Sequence, residues 1–274
     1  MVTARSRELR ALAQRVADAL PPLVEDAVLT GSTSRGTADE LSDVELLLVL
    51  TELPPPEECV RIAESVGLRT VETWAPPGGA VYWSGGFVGD EFAELLCWPR
   101  AYVDERLDAI LAAEVIDPQR LRTADALAHG IALRGEALAA WQARLAAYPE
   151  LLAERIVADA AQTWHEVPRS ELTLLRPGER LVLVQRLVED AENALRIVFA
   201  LNRTWQQGWK HLRSELAPLP VQPDRLFERI DAALAGCDLR AMREVVRDTL
   251  ALAPALPAVE RARAEVAAVL ERLP

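Results

Sequence analysis

The segment Val44–Leu50, with the sequence VELLLVL, constrains the fold of this chain more than any other segment. Nearly all of its side chains are apolar, so a strand formed here would hide both of its faces from water. Such a strand needs neighbouring strands at its edges and helices over its faces. The segment therefore predicts a domain in which helices pack on a sheet.

The pattern of the chain changes near residue 101. Before that point, short apolar runs separated by Gly and Pro predict strands and helices, and after it helical periodicity continues to the end. A chain of 274 residues is long enough for two domains. We therefore predict an α+β protein: an α/β domain with a mixed sheet at residues 1–110, followed by an all-helical bundle domain at residues 111–274.

The composition disfavours several classes of partner. The net charge of −12 opposes tight, nonspecific binding to nucleic acid, which depends on Lys and Arg contacts to phosphate. No apolar run reaches membrane-spanning length, and the N-terminus predicts an amphipathic helix without the apolar block of a signal peptide. The three cysteines are scattered and odd in number, which favours free thiols. We expect a cytoplasmic protein with no membrane partner, and the charge disfavours nucleic acid as a partner. The sequence leaves the oligomeric state open.

Two acidic residues, Asp43 and Glu45, stand at the entry to the apolar strand. Side chains alternate along a strand, so both carboxylates point to the same face. Neighbouring carboxylates repel, and burying them is costly unless a positive group lies between them. A divalent cation meets this need, and hard oxygen ligands suit Mg²⁺. The alternative is that the acidic pair is merely solvated at the start of the strand.

Residues before and after the acidic pair extend this candidate site. The stretch FAELLCW predicts another strand, which carries Glu94 as a third carboxylate able to complete a two-metal site; Asp90 and Glu91, just before it, are the alternatives. A turn at Gly31 and Ser32 would let backbone N–H groups and a hydroxyl approach a polyphosphate. These residues together predict a site for a metal-bound phosphate substrate.

The turn at Gly31 and Ser32, followed by the pair Asp43 and Glu45, resembles the DNA polymerase β-like nucleotidyltransferase superfamily over roughly residues 20–110. The common acidic pair of that family is D-x-D, whereas this chain has D-x-E. The resemblance implies a nucleotidyltransferase domain in which Asp43, Glu45 and Glu94 hold two Mg²⁺ ions. It also implies that ATP or another nucleoside triphosphate is the co-substrate, with Gly31 and Ser32 at the nucleotide.

The segment Phe199–Leu216, FALNRTWQQGWKHLRSEL, is similar to the helical domain of bacterial antibiotic-modifying nucleotidyltransferases of the kanamycin and lincosamide type. That resemblance implies that Asn202 and Lys210 bind the nucleotide. Lys210 is also the only lysine among 30 basic residues. This favours a position where a compact ammonium is needed, although drift toward Arg codons explains it equally. Arg35, in the loop after the Gly-Ser turn, either meets a phosphate or is solvated.

A long helix predicted from Glu179 to Arg203 carries a polar stripe in its apolar surface. Arg186, Asp190, Asn193 and Ile197 fall on one face, which predicts a face lining a cleft. Asp190 is a candidate general base for an acceptor hydroxyl. The alternative is an intrahelical ion pair between Arg186 and Asp190 on a solvated face.

Other polar and aromatic residues have a weaker link to function. Glu154 and Asp159 are alternative bases, although each is more typical of a helix surface. His129, His165 and His211 share no metal-ligand spacing. Most of the seven tryptophans are expected to pack in the core or at a domain interface, with one available to stack on a base or an acceptor.

These features predict a Mg²⁺-dependent nucleotidyltransferase of the adenylyltransferase class. It would transfer a nucleoside monophosphate, AMP from ATP as the first expectation, to a hydroxyl of a small molecule bound between the domains, with release of pyrophosphate. The family likeness offers aminoglycosides and lincosamides as acceptors, and the negative charge favours a cationic one. Two alternatives stay open: a nucleotidyltransferase toxin that modifies tRNA or protein, and a catalytically inactive nucleotide-binding regulatory module.

Overall fold

The computed structural model describes residues 2–162, 172–176, 178, 180–206 and 208–273. The chain forms two compact units, one of Met1–Leu111 with Asp117–Ala147 and one of Ala112–Ile116 with Tyr148–Pro274. The first unit contains a six-stranded mixed sheet, and the described elements of the second are helical. The predicted α+β class, with a sheet domain followed by a helical region, is confirmed.

The sheet places the apolar segment at its centre. Its strands are β1 (Asp26–Thr30), β2 (Val44–Leu50), β3 (Arg69–Trp74), β4 (Tyr82–Val88), β5 (Glu91–Pro99) and β6 (Ile131–Arg134), in the order β3-β4-β5-β2-β1-β6. The β2 and β5 strands run parallel, and every other neighbouring pair is antiparallel. Because β2 has a strand on each side and packing on both faces, its apolar side chains are shielded from water.

The described residues of the sheet unit form six helices. They are α1 (Ala4–Ala19), α2 (Gly31–Arg35), α3 (Pro56–Ser65), α4 (Arg100–Leu111), α5 (Pro118–Ala128) and α6 (Ala137–Leu145). The α1 and α3 helices bury Leu9 and Ile62 against Leu46 and Leu48 of β2, so they cover one face of the sheet. The α4 helix packs against β5, and α5 and α6 pack against β1.

The boundary predicted at residues 110 and 111 is wrong for one segment. Asp117–Ala147 belongs with the sheet rather than with the helical unit. The reason is β6, which pairs with β1 through Val28 with Ala132 and Leu29 with Ile131. A four-residue strand between helices is too short to show an alternating pattern, so only its pairing reveals it.

The second unit is a group of helices around a long central one. Its described helices are α7 (Glu150–Gln162), a 3₁₀ turn (Leu172–Leu175), α8 (Arg180–Leu201), α9 (Leu212–Leu216), α10 (Leu226–Gly236), α11 (Leu239–Leu252) and α12 (Pro257–Leu270). The α8 helix packs against α7 and α11, and Leu187, Val198 and Met242 are fully buried in this core. Among the described residues, no helix has the length and apolar character needed to cross a membrane.

Candidate active site

Two of the predicted metal-binding carboxylates lie side by side on the central strands. In the parallel pairing of β2 and β5, Glu45 stands directly opposite Glu94. Asp43 precedes β2 by one residue and shares the face of Glu45 by alternation. Val44 and Leu46, the neighbours of Glu45 along the chain, are buried in the core under α1 and α3. The half-buried carboxylates therefore point to the opposite face of the sheet.

The Gly31 turn brings the backbone up to the Glu45 carboxylate. Thr30, the last residue of β1, pairs with Glu45 across the antiparallel ladder. Gly31 then adopts a φ of +71°, and a Cβ atom at this position would collide with the Glu45 carboxylate. Glycine therefore serves two purposes here, because it permits the left-handed backbone and leaves room for a carboxylate against the turn.

Hydrogen bonds join the short helix α2 to the loop that leads into β2. The Ser32 hydroxyl donates to Ser42 Oγ over 3.1 Å. The Thr33 hydroxyl, which is buried, donates to the backbone carbonyl of Asp43 over 2.9 Å. These bonds bridge the ten-residue spacer between the Gly-Ser turn and the acidic pair. The two motifs that were linked only by spacing in the sequence are thus one connected structure.

Two arginines anchor α2, one from helix α1 and one at the end of α2 itself. Arg10 of α1 donates from Nε to the Thr33 carbonyl over 3.0 Å and from Nη2 to the Ser34 carbonyl over 2.6 Å. Arg35 forms an ion pair with Asp125 of α5, whose side chain is 2% exposed. Arg35 is therefore engaged as an anchor of α2, and a phosphate would have to compete with Asp125 for it. Sequence reasoning missed Arg10 and Asp125 because their partners are distant in the chain and no local pattern marks them.

The alternative carboxylate Glu91 lies on the wrong face of the sheet for the site. It is the first residue of β5 rather than part of the preceding turn. Arg5 of α1 donates to its two carboxylate oxygens over 2.7 and 2.5 Å. These hydrogen bonds lower the pKa of Glu91 and outweigh the opposing effect of partial burial. Side chains alternate along β5, so Glu94 points to the other face of the sheet. It shares that face with Glu45, its partner in the strand pairing.

The carboxylates fit Mg²⁺ in chemistry and in register. Asp43, Glu45 and Glu94 supply hard oxygen donors, which Mg²⁺ prefers. Within the described ranges, however, no group of three or more His, Cys, Asp or Glu side chains is already gathered around a metal position. Binding of an ion would therefore require new side-chain rotamers on a backbone whose strand register already puts Glu45 beside Glu94.

Asp190 is not placed to act as a general base. It lies on α8 with a fully buried side chain, and Arg243 of α11 donates to its Oδ1 over 2.8 Å. The solvated face of the alternative is not observed, because Asp190 is fully buried, while Arg186 lies 3.6 Å from Glu189. Asn193 and Ile197 of the same stripe are buried too. The stripe therefore faces the core of the helical unit, where Asp190 pairs with Arg243 of α11.

Asn202 has a structural role in the helical unit. Its Nδ2 donates to the carbonyls of Val198 and Val221 over 2.7 and 2.8 Å, and its Oδ1 accepts from the Val221 N–H over 3.0 Å. These bonds tie the end of α8 to the segment before α10. Lys210 is exposed on the same unit, and its contact with a nucleotide stays a prediction.

The remaining candidates have surface or local roles. Asp159 forms an ion pair with Arg196 within the helical unit. His129 lies on the sheet unit, with Nδ1 3.3 Å from Asp125 Oδ1. His165, together with Trp164, falls outside the described residues.

Comparison with known proteins adds little to this picture. No protein-family model matches the chain, and no curated protein matches it significantly. Among solved structures, it is similar to a nucleotidyltransferase-like protein from Exiguobacterium sibiricum 255-15, with 11% identity and a TM-score of 0.36 over 98% of this chain and 74% of that one. A likeness at this level supports no inference about function. The function is therefore inferred from the geometry of the site.

Proposed function

We propose that this chain is a Mg²⁺-dependent nucleotidyltransferase. It transfers a nucleoside monophosphate, AMP from ATP as the first substrate to test, to a hydroxyl of a small molecule. The observation that carries the proposal is the row formed by Gly31, Glu45 and Glu94 across three adjacent strands or their ends. Gly31, which has no side chain, thereby lies in line with two carboxylates. A triphosphate needs such an open turn, and its cation needs such carboxylates.

The residues of the row, together with Asp43, bind two different substrates. The Gly31–Ser32 turn receives the triphosphate, because the missing side chain allows phosphate oxygens close to the backbone. Asp43 and Glu45 hold the cation at the phosphates, and Glu94 orients the acceptor hydroxyl on the other side of Glu45. When bound, Mg²⁺ neutralises the charge on the phosphate oxygens. Most of the rate enhancement then comes from positioning and from this electrostatic stabilisation.

The proposed reaction balances without any further reactant. The acceptor oxygen attacks the α-phosphorus of the triphosphate, and a new oxygen–phosphorus bond forms. The bond from the α-phosphorus to the bridging oxygen breaks, so that pyrophosphate leaves on the opposite side. The proton of the hydroxyl passes to a carboxylate of the row or to solvent, since the buried Asp190 is not available to receive it.

The test is a transfer assay with labelled ATP, Mg²⁺ and a panel of hydroxylated small molecules. Pyrophosphate release and the mass increase of the acceptor are both read. Glu45→Gln and Glu94→Gln should lower transfer by at least about a hundredfold, as expected when a group that stabilises transition-state charge is lost. Glu52→Gln, an exposed glutamate beyond the other end of β2, is the matched control and should retain full activity.

Two outcomes would contradict the proposal. Near-normal transfer in Glu45→Gln or Glu94→Gln would remove the row from the chemistry. Binding of ATP without pyrophosphate release for any acceptor would instead favour the alternative of an inactive nucleotide-binding module.

A further inference from the structure

The buried carboxylate of Asp125, on α5, has one oxygen paired and one oxygen unused. The side chain is 2% exposed and forms an ion pair through Oδ2 with Arg35. Its Oδ1 is buried as well, and no hydrogen bond reaches that oxygen from the residues that the structure describes. A buried acceptor without a hydrogen bond is unfavourable, so the unused oxygen points to a partner that can still arrive.

The ring of His129 lies beside this unused oxygen. It stands one helical turn after Asp125, and its Nδ1 is 3.3 Å from Oδ1. The same Nδ1 lies 3.0 Å from the backbone carbonyl of Asp125, which can only accept, so Nδ1 carries a hydrogen. Because the side chain of His129 is 44% exposed, the ring can take up a second proton from solvent. It would then be a cation next to a buried carboxylate.

Arg35 is the present partner of Asp125, and its guanidinium is only partly engaged. It is the last residue of α2, the short helix that begins at Gly31. Its Nη2 donates to Asp125, whereas its buried Nε has no hydrogen-bond partner among the described residues. Arg10 independently binds two backbone carbonyls of α2. The helix therefore keeps an anchor if the Arg35 side chain moves.

The α5 helix packs over the face of the sheet that carries the proposed metal-binding carboxylates. A Cβ atom at Gly130, just after α5, would lie 2.7 Å from Cγ1 of Val28 in β1. Val28 pairs with Leu47, and Leu47 shares the face of Glu45 because side chains alternate along β2. Asp125 and its partners are thus on the side of the sheet where a nucleotide would bind.

Within the described part of the chain, Arg35 and His129 are the only cationic side chains at ion-pair distance from Asp125. The β1 strand faces α5 with the apolar Val28. The other polar side chains that face α5, from α4 and α6, are engaged elsewhere: Arg106 with Thr123, Glu105 with Arg120, and the neutral amide of Gln142 with backbone carbonyls. If Arg35 leaves, His129 is therefore the group placed to compensate the charge of Asp125.

We propose that Asp125 and His129 form a latch on Arg35, and that a bound triphosphate opens it. Arg35 leaves Asp125 for the phosphates, and the protonated ring of His129 then pairs with Oδ1 of Asp125. A buried carboxylate without a counter-charge is strongly unfavourable, so a proton is taken up as Arg35 leaves. The planar guanidinium matches phosphate oxygens, and histidine changes charge near neutral pH. This inference rests on the proposed binding of a nucleoside triphosphate at the Gly31 turn.

The latch makes nucleotide binding depend on pH. One proton enters from solvent with each nucleotide, so the complex is favoured where the ring is readily protonated. As the pH rises through the titration of the ring, the Kd for the nucleotide should increase by up to about tenfold per pH unit. A purely structural ion pair between Arg35 and Asp125 would produce no such dependence.

The experiment counts the protons by titration calorimetry. The probe is an ATP analogue with a methylene group between the α- and β-phosphorus atoms, which cannot release pyrophosphate, together with Mg²⁺. The enthalpy of binding is measured in buffers of different ionisation enthalpy, and its slope against that enthalpy gives the number of protons taken up. At about pH 7.5, wild type should take up about 0.5 to 1 proton more than His129→Gln. The Kd of this variant should also stay nearly constant with pH.

Two further variants test the partner and the specificity of the effect. Arg35→Gln removes the group that moves, so it should raise the Kd and abolish the uptake. Glu105→Gln breaks a partly exposed pair with Arg120 on the same helix and leaves the latch intact. This control should bind the analogue and take up protons as wild type does. Thermal unfolding checks each fold, and the half-exposed His129 remains a sound test if Arg35→Gln is unstable.

The latch and the proposed transfer fail in distinguishable ways. Equal proton uptake in wild type and His129→Gln, or no uptake in either, would overturn the latch. Transfer, which is measured separately by pyrophosphate release from ATP, would then still stand. Wild-type protein that binds neither the analogue nor ATP would overturn the proposed function and the latch with it.

Discussion

Replacement of Asp190 provides the sharpest test of how the helical unit is built. The side chains of Asp190 and Arg243 are 1% and 2% exposed, so both charges are removed from water. Asp190→Asn keeps the shape but leaves the guanidinium of Arg243 buried without its counter-charge. Breaking one partner of such a pair costs about 3–5 kcal/mol. For a domain of this size, that predicts a fall in the unfolding midpoint of roughly 10–20 °C.

Two companion variants isolate the cause. Asp190→Leu combined with Arg243→Met removes both charges and should recover most of the lost stability, because a well-packed apolar pair is often as stable as a buried ion pair. Asp248 lies on α11, as Arg243 does, and forms partly exposed ion pairs with Arg229 of α10 and with Arg247. Asp248→Asn breaks these pairs. Since pairs in contact with solvent contribute little, this variant should cost at most about 1 kcal/mol.

Circular dichroism during heating measures the unfolding midpoints, and the transfer assay at low temperature measures activity on the folded proteins. The expected result is a large loss of stability in Asp190→Asn with transfer retained. A variant that unfolds at the wild-type temperature but no longer transfers nucleotide would refute this reasoning and return Asp190 to the list of catalytic bases.

Three further predictions concern the sheet unit and the lone lysine. Gly31→Ala should abolish transfer, whereas Gly67→Ala, which has a similar φ of +79° but open space around it, should lose only about 1–3 kcal/mol of stability and keep activity; equal activity in both would show that the turn does not serve the site. The pKa of Glu91 is lowered in the folded state by Arg5, so this pair stabilises at neutral pH, and its contribution disappears as the pH falls through that lowered pKa. Unfolding midpoints of Glu91→Gln and wild type should therefore differ at neutral pH and converge in acid, and a constant difference would contradict the linkage. Lys210→Ala should raise the KM for ATP, with partial recovery in Lys210→Arg because a planar guanidinium fits differently; full activity in Lys210→Ala would exclude the residue from the site.

Where the carboxylates converge depends on the sheet register. The spacing of Asp43 and Glu45 fixes that they share a face, but not which later acidic residue stands beside them. The parallel pairing of β2 with β5 selects Glu94 and turns Glu91 to the opposite face, where Arg5 binds it. A shift of one residue in that pairing would turn Glu94 away from the face of Glu45 and bring Glu91 onto that face, because side chains alternate with a period of two.

The sequence alone determined the features that depend on short stretches of chain. The apolar run of β2, the helix that ends before Pro21 and the Gly-Ser turn follow from side-chain periodicity and from backbone conformations that few residues allow. These preferences act between near neighbours, so they can be predicted from a local window. The α+β class was predicted for the same reason.

Tertiary structure decided which distant residues meet. It joined β6 to the sheet, paired Arg35 with Asp125, and buried Asp190 against Arg243, a residue 53 positions away. Such contacts depend on how whole elements pack. The sequence pattern of an amphipathic helix is the same whether its carboxylate faces a substrate or a buried arginine. The free energy of packing, summed over the core, makes that choice, and no local pattern encodes it.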